Sequence, residues 1–148
     1  MLEQMFTSFI ASAAFALLFN VPRNRLLPCG VTGMVGWIAY LLLTTHGWDA
    51  VPACAAAGFA VAVVSLIFAK WFKTPVIIFH IAGIIPLVPG GLAYDAMRHF
   101  VVKDYNTALQ LAAQAFLISG AIAAGLVLSE VMDQSVRRWK AMKGAKSA

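Results

Sequence analysis

The chain has 148 residues, of which 61% are hydrophobic and only 11% are charged, and its net charge is +5. Soluble domains carry about 25% charged residues, so this composition excludes a soluble globular protein and indicates a membrane protein of one domain. The basic residues lie between apolar stretches and at the C-terminus, where membrane proteins place their topology signals, so we expect no nucleic-acid partner.

Five apolar stretches follow one another in chain order, and each is expected to cross the lipid bilayer as a helix. They cover residues 6–19, 26–45, 50–69, 76–102 and 107–132. The predicted fold is therefore all-α and polytopic, with a single transmembrane domain over residues 1–136 and a basic cytoplasmic tail over residues 137–148.

The distribution of lysine and arginine predicts the orientation of these helices, because cytoplasmic loops of membrane proteins are enriched in both residues. With five helices and a cytoplasmic C-terminus, the N-terminus lies outside, and only Arg98 and Lys103 face outward. This excess of lysine and arginine on the cytoplasmic side favours five membrane spans over four or six. We expect a multi-pass protein of the inner (cell) membrane. The nine basic residues then assigned to the cytoplasm are Arg23, Arg25, Lys70, Lys73, Arg137, Arg138, Lys140, Lys143 and Lys146.

The fourth stretch is interrupted near the middle of the membrane by the segment Pro86-Leu87-Val88-Pro89-Gly90-Gly91. Prolines remove amide donors, and a glycine pair permits backbone angles that a regular helix does not use. At membrane depth, broken backbone is tolerated only where protein buries it or a polar cavity adjoins it. Many transporters bind substrate at such a break, so we expect a site here; a simple proline kink packed against its neighbours is the alternative.

The residues after the break are predicted to form a second half-helix whose first amides point into the break. Because the helix dipole adds partial positive charge there, such an end is suited to binding a carboxylate. The candidate substrate-binding residues are therefore Pro86, Pro89, Gly90, Gly91 and Tyr94. The hydroxyl of Tyr94 either contributes to this site or anchors the helix at the membrane interface.

Five further side chains are weaker candidates for polar or proton-handling roles, namely His80, Asp95, Arg98, Gln110 and Gln114. His80 fits either a proton relay or a hydrogen-bonded structural histidine. Asp95 and Arg98 are three residues apart, a spacing that allows them to pair at the outer mouth. Gln110 and Gln114 share a helix face that either lines a polar pathway or bridges helices.

The sequence contains no catalytic constellation, cofactor fingerprint or metal-ligand spacing, so we expect neither an enzyme nor a bound cofactor or metal. Cys29 and Cys54 lie in apolar stretches and are expected to be small packing residues. Small residues also recur every fourth position. In the fifth stretch, Gly120 and Ala124 form one such series, and Ala121, Gly125 and Ser129 form another. Such spacing permits close helix contact, and some of these faces are expected to meet another subunit, in a complex or an oligomer.

Three sequence elements resemble the threonine/serine exporter family, and together they cover nearly the whole chain. They are Phe19-Asn20-Val21-Pro22-Arg23, the pattern Gly33-x-x-Gly36-Trp37, and Pro86-Leu87-Val88-Pro89-Gly90-Gly91-x-x-Tyr94. The chain is similar to the short membrane subunit of split exporters in this family.

The resemblance implies one subunit of a two-component secondary exporter, whose larger partner supplies the other membrane half and a cytoplasmic region. The implied substrates are small metabolites that carry a carboxylate, either threonine and serine or succinate, and export is expected to be coupled to the proton gradient. Two interpretations of other classes remain, a structural subunit without substrate contact and a passive holin-like pore. If the chain is an exporter subunit, the substitution Gly90→Leu is predicted to abolish export while the amount of protein in the membrane stays normal.

Overall fold

Six α-helices account for almost all of the chain in the computed structural model, which describes the backbone of residues 2–146 and the side chains of residues 2–135. The helices are α1 (Leu2–Leu18), α2 (Leu26–Thr45), α3 (Ala50–Phe72), α4 (Val76–Ile84), α5 (Gly90–Val101) and α6 (Tyr105–Lys146). No strand occurs in the described residues, which confirms the all-α prediction.

Three helical segments are long and apolar enough to cross a bilayer, namely Arg23–Thr45, Ala50–Phe72 and Tyr105–Ser135. The bent pair of α4 and α5 makes a fourth if it crosses as one broken span. Helix α1 is also apolar but has 17 residues. At 1.5 Å per residue it is about 25 Å long, slightly shorter than the hydrocarbon core of about 30 Å. The protein is thus an all-α, polytopic membrane protein.

Helix α2 lies at the centre of the bundle, where it packs against α1, α3 and α4. Helix α6 packs against α3 and α5, and the break between α4 and α5 lies against α1, α2 and α3. Cys29 and Cys54 are both buried with free thiols, which confirms that they are packing residues. The break is therefore held on three sides by helices of the same chain.

Glycines allow these helices to approach one another closely, as the spacing of small residues predicted. A methyl group added at Gly125 would overlap the carbonyl oxygen of Ala55 on α3. A methyl group added at Gly33 would overlap the Oγ atom of Ser12 on α1. The α3–α6 and α1–α2 contacts therefore depend on the absence of side chains at these two positions.

Basic residues from separate loops gather at one end of the bundle. The guanidinium of Arg25 donates a hydrogen bond to the carbonyl oxygen of Phe72, at 3.3 Å, and lies 4.5 Å from the centre of the Phe72 ring. At the same end, Lys70 of α3 forms an ion pair with Asp133 of α6. The predicted topology requires Arg25 and Lys70 to be on the same side of the membrane, and in the structure they lie at the same end of the bundle.

The largest differences from the predicted stretches are at the start of α1 and the end of α6. Helix α1 begins at Leu2 rather than residue 6. Helix α6 continues past residue 132 through Lys146, since no proline follows residue 105 to end it. The backbone of the predicted tail, residues 137–148, is thus continuous with α6 up to Lys146, while its basic side chains lie outside the described residues.

Candidate functional site

The fourth span is broken, as predicted, at the segment between Ile84 and Gly90. Helix α4 tightens into a 3-10 turn over Ile85–Leu87. Val88 is then extended, with φ −63° and ψ 128°, and Pro89 has φ −76° and ψ 51°. The axes on the two sides of the break differ by 51°.

The glycine pair has a different role from the one that the sequence suggested. Gly90 and Gly91 are the first two residues of α5, and neither has a positive φ. The expectation that they supply angles foreign to a helix is therefore wrong, and the break is formed by the 3-10 turn, the extended Val88 and the two prolines. A Cβ atom at either glycine would meet no atom within 4 Å, so the pair leaves open space at the start of α5.

A cavity of about 250 Å³ lies beside the break. Its wall combines the broken segment with residues from four helices, α2, α3, α5 and α6. Most of these side chains are apolar, and the polar groups among them are an indole, a phenol and a thiol. The lining residues are Trp37, Tyr40, Cys54, Pro86, Leu87, Val88, Pro89, Gly91, Leu92 and Ile118.

The N-terminus of α5 brings unpaired backbone amides to this cavity. The amide of Ala93 donates to the carbonyl of Pro89 at 3.1 Å, and the amide of Gly90 donates to that of Val88 at 2.8 Å. In the described part of the chain, the amides of Gly91 and Leu92 donate to no carbonyl, and both residues line the cavity. Free amides at a helix N-terminus, combined with the helix dipole, attract an anionic group such as a carboxylate.

A second cavity, of about 360 Å³, lies against the N-terminal half of α1. Trp37 and Pro86 line this cavity as well as the one at the break. The Nε1 atom of Trp37 is buried and has no hydrogen-bond partner among the described residues. The other lining residues are Glu3, Gln4, Thr7, Ser8 and Ala11 of α1.

The five predicted substrate-binding residues divide between the wall of the cavity and its surroundings. Pro86, Pro89 and Gly91 line the cavity at the break, and Gly90 is adjacent to the lining without being part of it. Tyr94 lies one helical turn further along α5, and it is 68% exposed. Its hydroxyl therefore faces the surroundings of this chain rather than the cavity.

The weaker candidates on α4 and α5 lie outside both cavities. The Nε2 atom of His80 is buried and has no hydrogen-bond partner in the described part of the chain. Asp95 and Arg98 form no ion pair there, contrary to expectation. A side-chain hydrogen bond nearby instead joins Nδ1 of His99 to the carboxylate of Asp104, at 3.2 Å.

Asp104 also caps the N-terminus of α6. Its carboxylate accepts a hydrogen bond from the backbone N–H of Thr107 at 3.4 Å, in addition to the contact with His99. Hydrogen bonds from Thr107, followed by the contact with His99, lower the pKa of the Asp104 carboxyl. An aspartate at this position satisfies one of the free amides of the first turn.

Gln110 and Gln114 are both exposed on the outer surface of α6. Neither lines the cavity at the break. Because no side chain within the described residues bonds to them, neither of the two predicted roles is fulfilled inside a single chain.

Sequence reasoning did not assign Trp37 and Tyr40 to the site. Their rings lie 5.4 Å apart on α2 and line the cavity opposite the break. A signal was present, because tryptophans of membrane proteins concentrate at the interfaces whereas Trp37 lies in the interior of an apolar stretch.

The fold and the cavity define the class of the protein, a helical membrane protein with a cavity at a broken helix, an arrangement typical of transporters. The family model described as "Threonine/Serine exporter, ThrE" matches residues 4–132. The chain belongs to this family, and membership indicates a transporter rather than an enzyme. No solved structure matches the chain.

Proposed function

We propose that this chain is the small membrane subunit of a two-component secondary exporter of threonine and serine in the inner membrane. The observation that carries the proposal is the N-terminus of α5, where Gly91 and Leu92, whose amides are unpaired within the described residues, line the cavity at the break. These amides and the helix dipole bind the substrate carboxylate. Family membership supports the direction of transport and the class of substrate.

The description of the matching family favours threonine and serine over succinate, the alternative substrate. No lysine, arginine, aspartate or glutamate lines the cavity in the described part of the chain. One carboxylate is accommodated by the two amides, and the second charged group, which is the ammonium of threonine or serine or the second carboxylate of succinate, needs a compensating charge from outside this lining. The hydroxyl of threonine or serine finds polar partners in Tyr40 and Trp37.

The larger subunit completes the pathway by covering the open side of α5. Within the described residues, α5 packs mainly against α6, so the rest of its surface is free. This surface includes Tyr94, whose exposed hydroxyl is available to the partner or to a substrate held between the two subunits. In the proposed topology the protein has five spans, an outer N-terminus and a cytoplasmic C-terminus.

Export is proposed to depend on the proton gradient. His80 is the candidate for proton handling in this chain, because its Nε2 atom is buried at membrane depth without a hydrogen-bond partner among the described residues. A substitution of His80 by glutamine is expected to reduce gradient-driven export while leaving substrate exchange in the absence of a gradient intact.

The proposal is tested by measuring efflux from cells that express this chain alone, its larger partner alone, or both. Cells are preloaded with threonine, serine or succinate and followed with and without an uncoupler. We expect efflux of threonine and serine only with both chains, and its loss on addition of the uncoupler. Efflux from this chain alone, insensitive to the uncoupler, would instead identify a passive pore.

A further inference from the structure

The cavity of about 360 Å³ against α1, which we call the α1 cavity, is lined by every polar side chain of residues 2–10. These side chains belong to Glu3, Gln4, Thr7 and Ser8. The apolar residues of the same segment do not line the cavity, and Leu2, Phe6 and Ile10 are exposed at the surface of the chain. The first half of α1 therefore directs its polar face to a cavity, as expected for a helix between lipid and a water-filled space.

The oxygen atoms of this polar face are mainly hydrogen-bond acceptors. The hydroxyl of Thr7 donates to the carbonyl oxygen of Glu3 at 2.7 Å, and the hydroxyl of Ser8 donates to the carbonyl oxygen of Met5 at 2.9 Å. Because each hydroxyl uses its proton within α1, its oxygen offers only lone pairs to a ligand. The carboxylate of Glu3 is also an acceptor, and it forms no ion pair among the described residues.

The charge of the α1 cavity is negative. Within the described residues, Glu3 is the one charged side chain in the lining of this cavity, and the cavity at the break has none. A site with a carboxylate and several acceptor oxygens suits a cation that donates hydrogen bonds in several directions. An ammonium group, with three N–H donors, has this chemistry.

The two cavities are neighbours with complementary chemistry. Trp37 and Pro86 line both of them, so one wall separates the two spaces. The cavity at the break has the free amides of Gly91 and Leu92, which attract a carboxylate. The α1 cavity has the carboxylate of Glu3, which attracts an ammonium group. Together they provide for both charged groups of an amino acid, one in each cavity.

We infer, on the basis of the proposed function, that the α1 cavity is a second substrate subsite in which Glu3 binds the ammonium group of the exported amino acid. The oxygens of Thr7 and Ser8 accept the remaining N–H groups. In the proposed topology α1 begins at the outer face, so the substrate occupies this subsite after it leaves the break. Glu3 thereby gives the exporter its preference for an amino acid over a carboxylate that has no amine.

This subsite is tested by comparing efflux of threonine with efflux of β-hydroxybutyrate, which has the carboxylate, hydroxyl and carbon skeleton of threonine but no ammonium group. Right-side-out membrane vesicles that contain both exporter subunits are preloaded with either compound at several concentrations, and a proton gradient is imposed. In Glu3→Gln we expect KM for threonine to rise about tenfold, because a hydrogen bond between charged groups is lost. The maximal rate per subunit and the KM for β-hydroxybutyrate should stay unchanged.

Two further variants separate the charge of Glu3 from a general effect of acidic residues at this surface. Glu3→Asp keeps the carboxylate and should retain most of the affinity for threonine. Asp49→Asn is the matched control, because Asp49 is also acidic, exposed and at the N-terminus of a helix, yet it lines neither cavity. Its replacement should change neither KM value.

The possible failures of this subsite and of the proposed function give different results. An unchanged KM for threonine in Glu3→Gln, with normal export by the wild type, would overturn the subsite alone. An equal loss of efflux for threonine and β-hydroxybutyrate would also overturn it, since Glu3 would then bind a coupling cation or only stabilise the start of α1. If wild-type vesicles export neither threonine nor serine, the proposed function fails, and the subsite fails with it.

Discussion

Trp37 and Pro86 line two cavities at once, so that an indole and a pyrrolidine ring form the wall between them. One of these cavities lies at the break, and the other lies against the N-terminal half of α1. Since Pro86 belongs to the broken segment, movement at the break would change this wall directly. Under the proposed function, Trp37 would separate a substrate held at the break from the space beside α1.

Two substitutions of Trp37 separate the proposed contribution of its N–H group from that of its aromatic ring. Trp37→Phe keeps an aromatic wall but removes the N–H donor proposed to bind the substrate hydroxyl. We therefore expect KM for threonine to rise up to about tenfold, a typical cost for one lost hydrogen bond, with little change in membrane abundance. Trp37→Ala removes the wall and should make export leaky and insensitive to the uncoupler. Efflux kinetics at several internal threonine concentrations measure both effects.

Trp48→Phe is the matched control for these variants. Trp48 lies in the loop between α2 and α3, is 53% exposed and lines neither of the two cavities. Its replacement should leave KM unchanged. An equal effect of Trp48→Phe and Trp37→Phe would show that the Trp37 N–H group has no specific contact with substrate.

The contact between Gly33 and Ser12 predicts a rescue between two helices. In Gly33→Ala the new methyl group would overlap Ser12 Oγ, so we expect overpacking to lower the melting temperature and the membrane abundance, at a cost of about 1–3 kcal/mol. Adding Ser12→Gly removes the obstructing atoms and should restore most of the loss. Ser12→Gly alone should cost about 1 kcal/mol, because glycine is unfavourable within a helix.

This double-mutant cycle is measured by thermal unfolding of the purified protein in detergent. The account requires Gly33→Ala to be more harmful in the presence of Ser12 than in its absence. Strictly additive effects of the two substitutions would contradict the close α1–α2 contact.

Asp104 predicts a pH dependence of stability at the α5–α6 turn. Its pKa is lowered from the usual 3.8 in the folded protein, so the charged form is favoured by folding and stabilises the protein above that pH. Asp104→Asn keeps the cap but removes the charge, and Asp104→Ala removes both. At neutral pH the melting temperature should decrease from wild type to Asp104→Asn to Asp104→Ala.

The pH dependence of the melting temperature distinguishes the contribution of the Asp104 charge from that of its capping hydrogen bond. As the pH falls from 3.8, where the unfolded chain takes up the proton, through the lower pKa of the folded protein, the stabilisation by the charge is lost, so the gap between wild type and Asp104→Asn should close. The gap between Asp104→Asn and Asp104→Ala should remain. If the first gap were independent of pH, the charge on Asp104 would have no part in stability.

Much of the fold was predictable, because apolar length and proline position are read directly from the sequence. The break was predicted over Pro86–Gly91, and the structure has it between Ile84 and Gly90, with the glycine pair inside α5. The boundaries of α1 and α6 were less predictable, since hydropathy marks the part of a helix in lipid rather than the whole helix. Helix α6 continues well beyond its apolar part.

The cavity was only half predictable, because its wall comes from helices that are distant in sequence. Pro86, Pro89 and Gly91 share one motif and were identified together. Tyr40, Cys54 and Ile118 are ordinary residues of apolar helices, and only the packing of three helices brings them to the break. Tyr94 illustrates the reverse case, because a motif residue close to the break in sequence points away from the cavity.

The central claim, that substrate binds at the N-terminus of α5, is tested most directly by comparing threonine export by Gly91→Leu and Gly90→Leu in cells that contain both subunits. Both positions open into free space, but only Gly91 lines the cavity, so the structure moves the expected loss from Gly90 to its neighbour. At equal membrane abundance, Gly91→Leu should reduce export at least tenfold and Gly90→Leu should have a much smaller effect. Normal export by Gly91→Leu would contradict a substrate site at the break.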